Sequence, residues 1–125
     1  MQSTALNDYV AAAIEHGETF DSGDYRRGNK VYDREMAALA ELRKAPDKGA
    51  KTLSRLLHHA NDWVKLAAAT NLLPLNEGPA RAVLKYLASG PTYEVSFQAK
   101  WVLKEWNAGS LRDPLPVSKS LEPEE

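Results

Sequence analysis

Residues 62–78 read DWVKLAAATNLLPLNEG, and residues 93–109, which begin 31 positions later, read YEVSFQAKWVLKEWNAG. Each segment carries a Val, an Ala and a Leu spaced four residues apart, followed by an Asn and a Gly. The same shift pairs two earlier leucines, Leu53 and Leu56, with two later ones, Leu84 and Leu87. Apolar residues at this spacing line one face of a helix. The sequence therefore predicts two copies of one helical unit.

Each copy is predicted to contain two short helices that are separated by a turn. We expect helices over about residues 48–59 and 62–73 in the first copy, and over about 79–89 and 93–108 in the second. Asn61 and Thr92 can cap the second helix of each copy, because their side-chain oxygens can accept hydrogen bonds from its first amides. Pro79 suits a first helical turn, and Gly109 suits the left-handed position after a helix. A repeated pair of helices is typical of an α-solenoid, in which neighbouring units share a core.

The N-terminal part is predicted to form a helical hairpin. Apolar side chains recur at helical spacing at Leu6, Val10, Ile14 and Phe20 in the first helix, and at Tyr32, Met36, Leu39 and Leu42 in the second. The helices are expected over about residues 3–20 and 26–45, with a break at residues 21–24 and a stop at Pro46. We thus expect a single domain over residues 1–111, made of the hairpin 3–46 and the helix pairs 47–78 and 79–110. A Pro-rich, acidic and irregular tail is expected over residues 112–125.

The composition agrees with an all-α chain and excludes several classes of site. The 125 residues include 18 Ala and 16 Leu, which favour helices, against 7 Val and one Ile. The absence of Cys excludes disulfides, thiolate zinc sites and thiol catalysis. A net charge of −1 lacks the basic excess of a dedicated nucleic-acid binder. No apolar run approaches the ~20 residues of a membrane span, and no signal-like start is present, so we expect a cytoplasmic protein and no membrane.

Several stretches resemble known helical families. Residues 56–73, LLHHANDWVKLAAATNLL, resemble a HEAT-type repeat, whose second helix opens with Asp, then Val and a basic residue, then paired alanines, here Asp62, Val64, Lys65, Ala67 and Ala68. With NKVYDREMAALAELR (29–43), ARAVLKYLA (80–88) and AKWVLKEWNAG (99–109), that stretch is similar to DUF2019, a bacterial family of uncharacterised domains. The resemblance implies an all-α, right-handed α-α superhelix of HEAT/armadillo-like helical repeats, with about six helices. It implies no activity and no catalytic residues.

The residues that could carry chemistry form no recognised motif. His58, His59 and Asp62 are the best candidates for a metal or acid–base cluster, but no HExxH or paired Glu-x-x-His pattern accompanies them. We interpret them as a helix end at which histidines meet the helix dipole. His16, with Glu15 and Glu18, is interpreted as part of a solvated helix face, and the carboxylate pair Asp33/Glu35 as ordinary surface charges. Because no phosphate-binding loop or nucleophile elbow occurs, we expect no metal, no cofactor and no enzymatic activity.

The sequence favours a protein partner over nucleic acid. Short α-solenoids present an extended surface to other proteins, which fits an adaptor or an immunity- or antitoxin-like protein. The alternative is nucleic-acid binding through the repeat region, which carries 8 basic and 5 acidic groups over residues 47–110. The basic residues that would serve it are Lys65, Arg81, Lys85, Lys100 and Lys104.

The last predicted helix holds the candidate docking surface. Phe97 and Trp101 lie one turn apart on the side away from its core face, and Lys100 and Lys104 flank them. We call these four residues the aromatic–basic patch. Two interpretations stay open. Either a partner binds the patch, or the patch is covered by the tail 112–125 or by a second copy of the chain in a homodimer.

Overall fold

The structure, a computed structural model, describes residues 3–111, with side chains from Thr4 onward. Within these residues the chain forms six α-helices and no strand. Their bounds are α1 Ser3–Ser22, α2 Tyr25–Leu42, α3 Ala50–Leu56, α4 Asp62–Leu72, α5 Glu77–Ala88 and α6 Tyr93–Asn107. The predicted all-α architecture is confirmed. The predicted tail at 112–125 lies outside the described residues.

The turn between α1 and α2 forms where the sequence predicts it. Gly23 adopts the left-handed conformation (φ 77°), which a residue without a side chain takes up without strain. The Asp24 carboxylate then accepts a hydrogen bond from the backbone amide of Arg27 (3.2 Å) and caps α2. Because the connection is this short and the two helices pack along each other, α1 and α2 form the predicted hairpin.

The second helix ends earlier than predicted. α2 stops at Leu42, and the proline that was expected to end it lies in the turn that follows. In that turn the Asp47 carboxylate accepts hydrogen bonds from the backbone amides of Lys51 and Gly49 (2.9 Å each). These hydrogen bonds favour the ionised carboxylate and lower the pKa of Asp47 below its ordinary value. Lys48 (φ 59°) and Gly49 (φ 83°) are both left-handed, so the chain turns sharply before α3 begins at Ala50.

Helices α3 to α6 are connected by turns of which most follow the predicted chemistry. Asn61 caps α4, because its Oδ1 accepts hydrogen bonds from the amides of the second and third helical residues (2.8 and 3.3 Å). Pro79 lies in the first turn of α5, and Gly109 is left-handed after α6 (φ 77°). These three predictions are confirmed. Thr92 does precede α6, but its side chain makes no capping hydrogen bond, so its predicted bond is wrong.

Helix α4 lies at the centre of the core, where it contacts α1, α3, α5 and α6. It is buried on nearly all sides, as predicted, through Val64, Leu66, Ala68, Ala69, Leu72 and Leu73. Val64 in α4 and Val95 in α6 each occupy the third helical position, and both are buried. The spatial equivalence of the two helix pairs and the right-handed superhelix stay predictions.

Helix α1 approaches the start of α4 closely at Gly17. A Cβ atom at this position would lie only 2.1 Å from Cγ of Trp63, so a side chain has no room there. The Trp63 ring also stacks on Phe20, with 5.5 Å between ring centroids and 16° between planes. This contact fixes the C-terminal half of α1 against α4 and thereby sets the position of the side chains around Phe20.

Candidate binding cleft

The structure exposes both aromatic residues of the aromatic–basic patch. Phe97 is 50% exposed and Trp101 is 48% exposed, and Lys100 and Lys104 are exposed beside them. Phe97 stacks on Tyr93, the first residue of α6, with 6.1 Å between ring centroids. Exposed apolar side chains that cluster in this way are typical of interaction surfaces.

Trp101 differs from Phe97 because it lines a cleft of about 440 Å³. The lining residues come from α1 (His16, Phe20), α2 (Tyr32, Glu35, Met36), α4 (Ala67, Thr70, Asn71), α6 (Gln98, Trp101, Glu105) and the segment after α6 (Ser110, Leu111). The cleft thus joins the N-terminal hairpin to the last helix across the face of α4. Of the four residues of the patch, Trp101 alone belongs to this lining.

A buried carboxylate, paired with a half-buried imidazole, lies in the wall of the cleft. The side chain of Glu35 is only 5% exposed, and its Oε1 lies 3.0 Å from Nδ1 of His16. The interpretation of both residues as solvated surface groups is therefore wrong. A carboxylate removed from water needs hydrogen-bond donors, and the His16 ring is the group that meets this need. Phe20 and Tyr32 contact that ring at centroid distances of 5.0 and 5.5 Å, which holds it in place.

Glu35 is buried because the buried face of α2 differs in part from the predicted one. Leu39 and Leu42 are buried as predicted, but Tyr32, also predicted to lie in the core, is 39% exposed, and Val31 is buried in its place. Glu35 follows Val31 by one helical turn and shares its face. The residues on this face, Gly28, Val31, Glu35 and Ala38, recur at helical spacing and are all buried. The helical spacing of these four residues is visible in the sequence. It was missed because a hydrophobic pattern assigns a charged residue such as Glu35 to the surface.

A second buried polar contact lies behind the cleft. The Asn71 side chain is buried and donates a hydrogen bond from Nδ2 to Oη of Tyr9 (2.6 Å), which is itself fully buried. Burial disfavours the phenolate and raises the pKa of Tyr9 far above its ordinary value, and the nearby charge of Glu35 adds to the effect. Tyr9 is therefore a neutral hydroxyl that fixes the orientation of the Asn71 amide in the lining.

Two of the five basic residues considered for nucleic-acid binding are engaged within the protein. Nζ of Lys65 lies 3.5 Å from the carboxylate of Asp62 and 5.7 Å from the centre of the Tyr86 ring. Arg81 donates hydrogen bonds to Glu77, and this contact holds the pKa of that carboxyl below its ordinary value. These two basic side chains are therefore held by neighbouring groups of the protein, while the net charge of residues 47–110 stays at +3.

Residues 3–111 contain neither a metal site nor a membrane-spanning helix. No group of three or more His, Asp or Glu side chains in this range is placed to hold a metal ion, so the candidate residues His58, His59 and Asp62 do not form such a group. Nδ1 of His59 instead accepts a hydrogen bond from the backbone amide of Asn61 (3.0 Å), while His58 is exposed. In the same range, the helices are all too short or too polar to cross a membrane.

The family of the chain is shown by its sequence over the helical core. Residues 5–107 match the profile of the family described as Domain of unknown function (DUF2019). The chain belongs to the DUF2019 family. No curated protein matches this DUF2019 chain.

A solved structure shows the same fold. The crystal structure of the protein RPA1889 from Rhodopseudomonas palustris CGA009 is similar to the DUF2019 chain, with a TM-score of 0.79. The match covers 90% of this chain and 93% of that chain at 18% sequence identity. At this identity the likeness establishes the shared all-helical fold and carries no statement about function.

Proposed function

We propose that this DUF2019 chain is a non-enzymatic protein-interaction module of the cytoplasm, of the short α-solenoid type, and that its partner docks at the cleft and the adjoining patch. The observation that carries the proposal is the position of Trp101, which is half-exposed at the edge of a cleft with two further aromatic residues, Phe20 and Tyr32. Tryptophan and tyrosine are over-represented among the residues that contribute most to protein–protein affinity. An adaptor or an immunity- or antitoxin-like role fits a module of this size.

The geometry of the cleft supports a docking role more than a catalytic one. Glu35 and His16 are hydrogen-bonded to each other, and Asn71 is held by Tyr9, so these polar groups have fixed orientations. The aromatic side chains come from three different helices, which gives a partner a preorganised surface and lowers the entropic cost of binding.

The proposal is tested by comparing the capture of partners by two aromatic variants. Trp101→Ala removes the ring at the cleft, whereas Tyr86→Ala removes an exposed ring from α5, outside the cleft lining. Each purified protein is immobilised, exposed to lysate of the cells that make it, and the bound proteins are quantified by mass spectrometry. We expect a partner that Tyr86→Ala retains and Trp101→Ala loses, with an affinity loss of about 30-fold if Trp101 contributes roughly 2 kcal/mol.

The unfolding temperature of both variants decides how the capture result is interpreted. An unchanged unfolding temperature for Trp101→Ala, together with lost capture, supports the docking role. Outright unfolding of Trp101→Ala would instead make this residue part of the core and remove the proposed site. Equal capture by both variants would place the docking surface elsewhere.

Self-association through the patch is tested by the mass of the protein in solution. We expect light scattering to give the mass of a monomer at micromolar concentration. A dimer that Trp101→Ala dissociates would assign the patch to a second copy of the chain, as the homodimer interpretation requires.

Nucleic-acid binding is tested by titrating labelled single-stranded and duplex DNA with the protein at low salt. With Lys65 and Arg81 engaged in internal contacts, we expect little binding. Tight binding that falls steeply towards physiological salt would favour the nucleic-acid alternative, because each phosphate contact releases a counterion.

A further inference from the structure

The described lining of the cleft beside Trp101 combines aromatic rings and carboxylates and contains no Lys or Arg, while Lys100 and Lys104 lie on the same helix outside it. Its charged lining residues are Glu35 and Glu105, and His16 is the sole basic group among the described lining residues. Aromatic side chains from α1, α2 and α6 complete the lining. The faces of aromatic rings attract cations, and carboxylates add to that attraction. The lining is therefore complementary to a positively charged group.

Two hydrogen-bond acceptors of the lining are held in place in advance. Glu35 is fixed through Oε1 by His16, and Asn71 is fixed through Nδ2 by Tyr9. Each side chain has a second polar atom, Oε2 and Oδ1 respectively, that no donor within residues 3–111 reaches. Neither atom is fully enclosed without a hydrogen-bond partner. Because both residues line the cleft, these two atoms are its candidate acceptors for a ligand.

We infer that the cleft binds the guanidinium group of an arginine side chain of the partner protein. A guanidinium carries five N–H donors and no acceptor, which matches the acceptors of Glu35 and Asn71. Its planar face can stack on the indole of Trp101, as guanidinium groups do on aromatic rings. A lysine ammonium lacks this planar face, and an anion would meet two carboxylates. The inference rests on the proposed function and specifies the chemistry of the partner.

The probe for this test is a capped Gly-Arg-Gly tripeptide, and its matched control carries citrulline, which keeps the shape of arginine without the charge. Binding is followed in ¹H–¹⁵N NMR spectra through the backbone amide signals of the lining residues Gln98 and Glu105, which every variant retains, and through the indole N–H signal of Trp101 where that residue is present. We expect a saturable shift in the millimolar range with arginine, and at least about tenfold weaker binding with citrulline. The absence of a saturable shift, or equal binding of the two peptides, would overturn the inference.

Two variants test whether the arginine peptide binds at the residues of the cleft lining, and a third variant is the control. Glu35→Gln keeps the size and an acceptor but removes the charge, so the affinity for the arginine peptide should fall to that for citrulline. Trp101 is half-exposed, so Trp101→Ala should remain folded, and it should abolish binding. This variant keeps the test decisive if Glu35→Gln unfolds. Glu94→Gln is the control, since it removes a carboxylate from the same helix outside both the lining and the aromatic–basic patch and should retain full affinity. Full affinity in Trp101→Ala or in a folded Glu35→Gln would contradict the inference.

The two proposals fail in different ways. If Trp101→Ala loses the captured partner but the arginine peptide does not bind, the arginine inference is wrong and the docking role stands. If the arginine peptide binds in a Glu35-dependent manner but no partner depends on Trp101, the cleft does bind a guanidinium group, but the docking role is wrong and the arginine does not come from a docked partner.

Discussion

Replacing Gly17 by Ala sets two opposing effects against each other, and the structure decides which one is larger. In a helix interior, Ala is more stable than Gly by about 0.5–1 kcal/mol, because it loses less conformational entropy on folding. At Gly17, however, the new Cβ atom would lie 2.1, 2.2 and 2.5 Å from three ring atoms of Trp63. The ring would have to move away by more than about 1 Å to restore an ordinary contact, and its stacking on Phe20 opposes that movement. Overpacking of this kind costs about 1–3 kcal/mol, so we expect a net loss of about 1–2 kcal/mol.

Urea unfolding followed by circular dichroism measures this loss, and Gly78→Ala is the matched control. Gly78 lies in the first turn of α5, and a Cβ atom there would meet no atom within 4 Å beyond its chain neighbours. Gly78→Ala should therefore change the stability by less than about 1 kcal/mol, because the gain in helix propensity is opposed by the steric preference that Pro79 imposes on the preceding residue. In a Trp63→Leu background, the penalty of Gly17→Ala should largely vanish, because the smaller side chain leaves room.

The result that would refute this reasoning is a Gly17→Ala variant as stable as the wild type or more stable. That result would mean that α1 does not approach Trp63 as closely as the structure shows. If Gly17→Ala lowers the free energy of unfolding by the same amount in the Trp63→Leu background, the contact with the indole ring is not the cause of the loss.

Three further expectations concern packing, acid stability and metal content. Ala68 is fully buried, so Ala68→Leu should lower the free energy of unfolding by about 1–3 kcal/mol, and an unchanged urea midpoint would contradict the stacked helices. Hydrogen bonds from Arg34 and a second arginine lower the pKa of Glu15 below its ordinary value of 4.5, so the folded state binds fewer protons than the unfolded state. The stabilisation that the folded state gains from these hydrogen bonds to Glu15 is present above pH 4.5 and is lost as the pH falls through the lowered pKa. Glu15→Gln should therefore flatten the decline of the unfolding temperature in acid, and superimposable profiles would count against this account. Elemental analysis should find no stoichiometric zinc, iron or manganese, and metal that is lost in a His58→Gln, His59→Gln double variant would revive a metal site.

The helical architecture could be predicted because it depends on local and periodic signals. The recurrence of Val64, Ala68 and Leu72 at a shift of 31 residues marks the buried face of a helix without any knowledge of its neighbours. The Asn61 cap and the left-handed Gly109 are decided by the chemistry of single residues. The position of the aromatic–basic patch, away from the core face of α6, also followed from helical periodicity.

The cleft could not be predicted because its residues are far apart in the sequence. His16 and Glu35 are 19 residues apart, and nothing in either local pattern shows that they meet. A hydrophobic pattern treats every charged residue as exposed, so the burial of Glu35 was missed and Tyr32 was placed in the core instead. Gly17 did offer a signal, because a glycine inside a strong helix pattern is unfavourable unless the backbone needs a close approach.

The claim that a partner docks in the cleft is tested most directly by site-specific photocross-linking in cells that make the protein. Benzoylphenylalanine replaces Gln98, which lines the cleft, and in a second variant it replaces Tyr86, which lies outside it. We predict that the probe at Gln98 forms an adduct with one other protein, that the adduct disappears when Trp101→Ala is added, and that the probe at Tyr86 does not form it. No adduct at Gln98, the same adducts at both positions, or an adduct only with a second copy of the chain would contradict the claim.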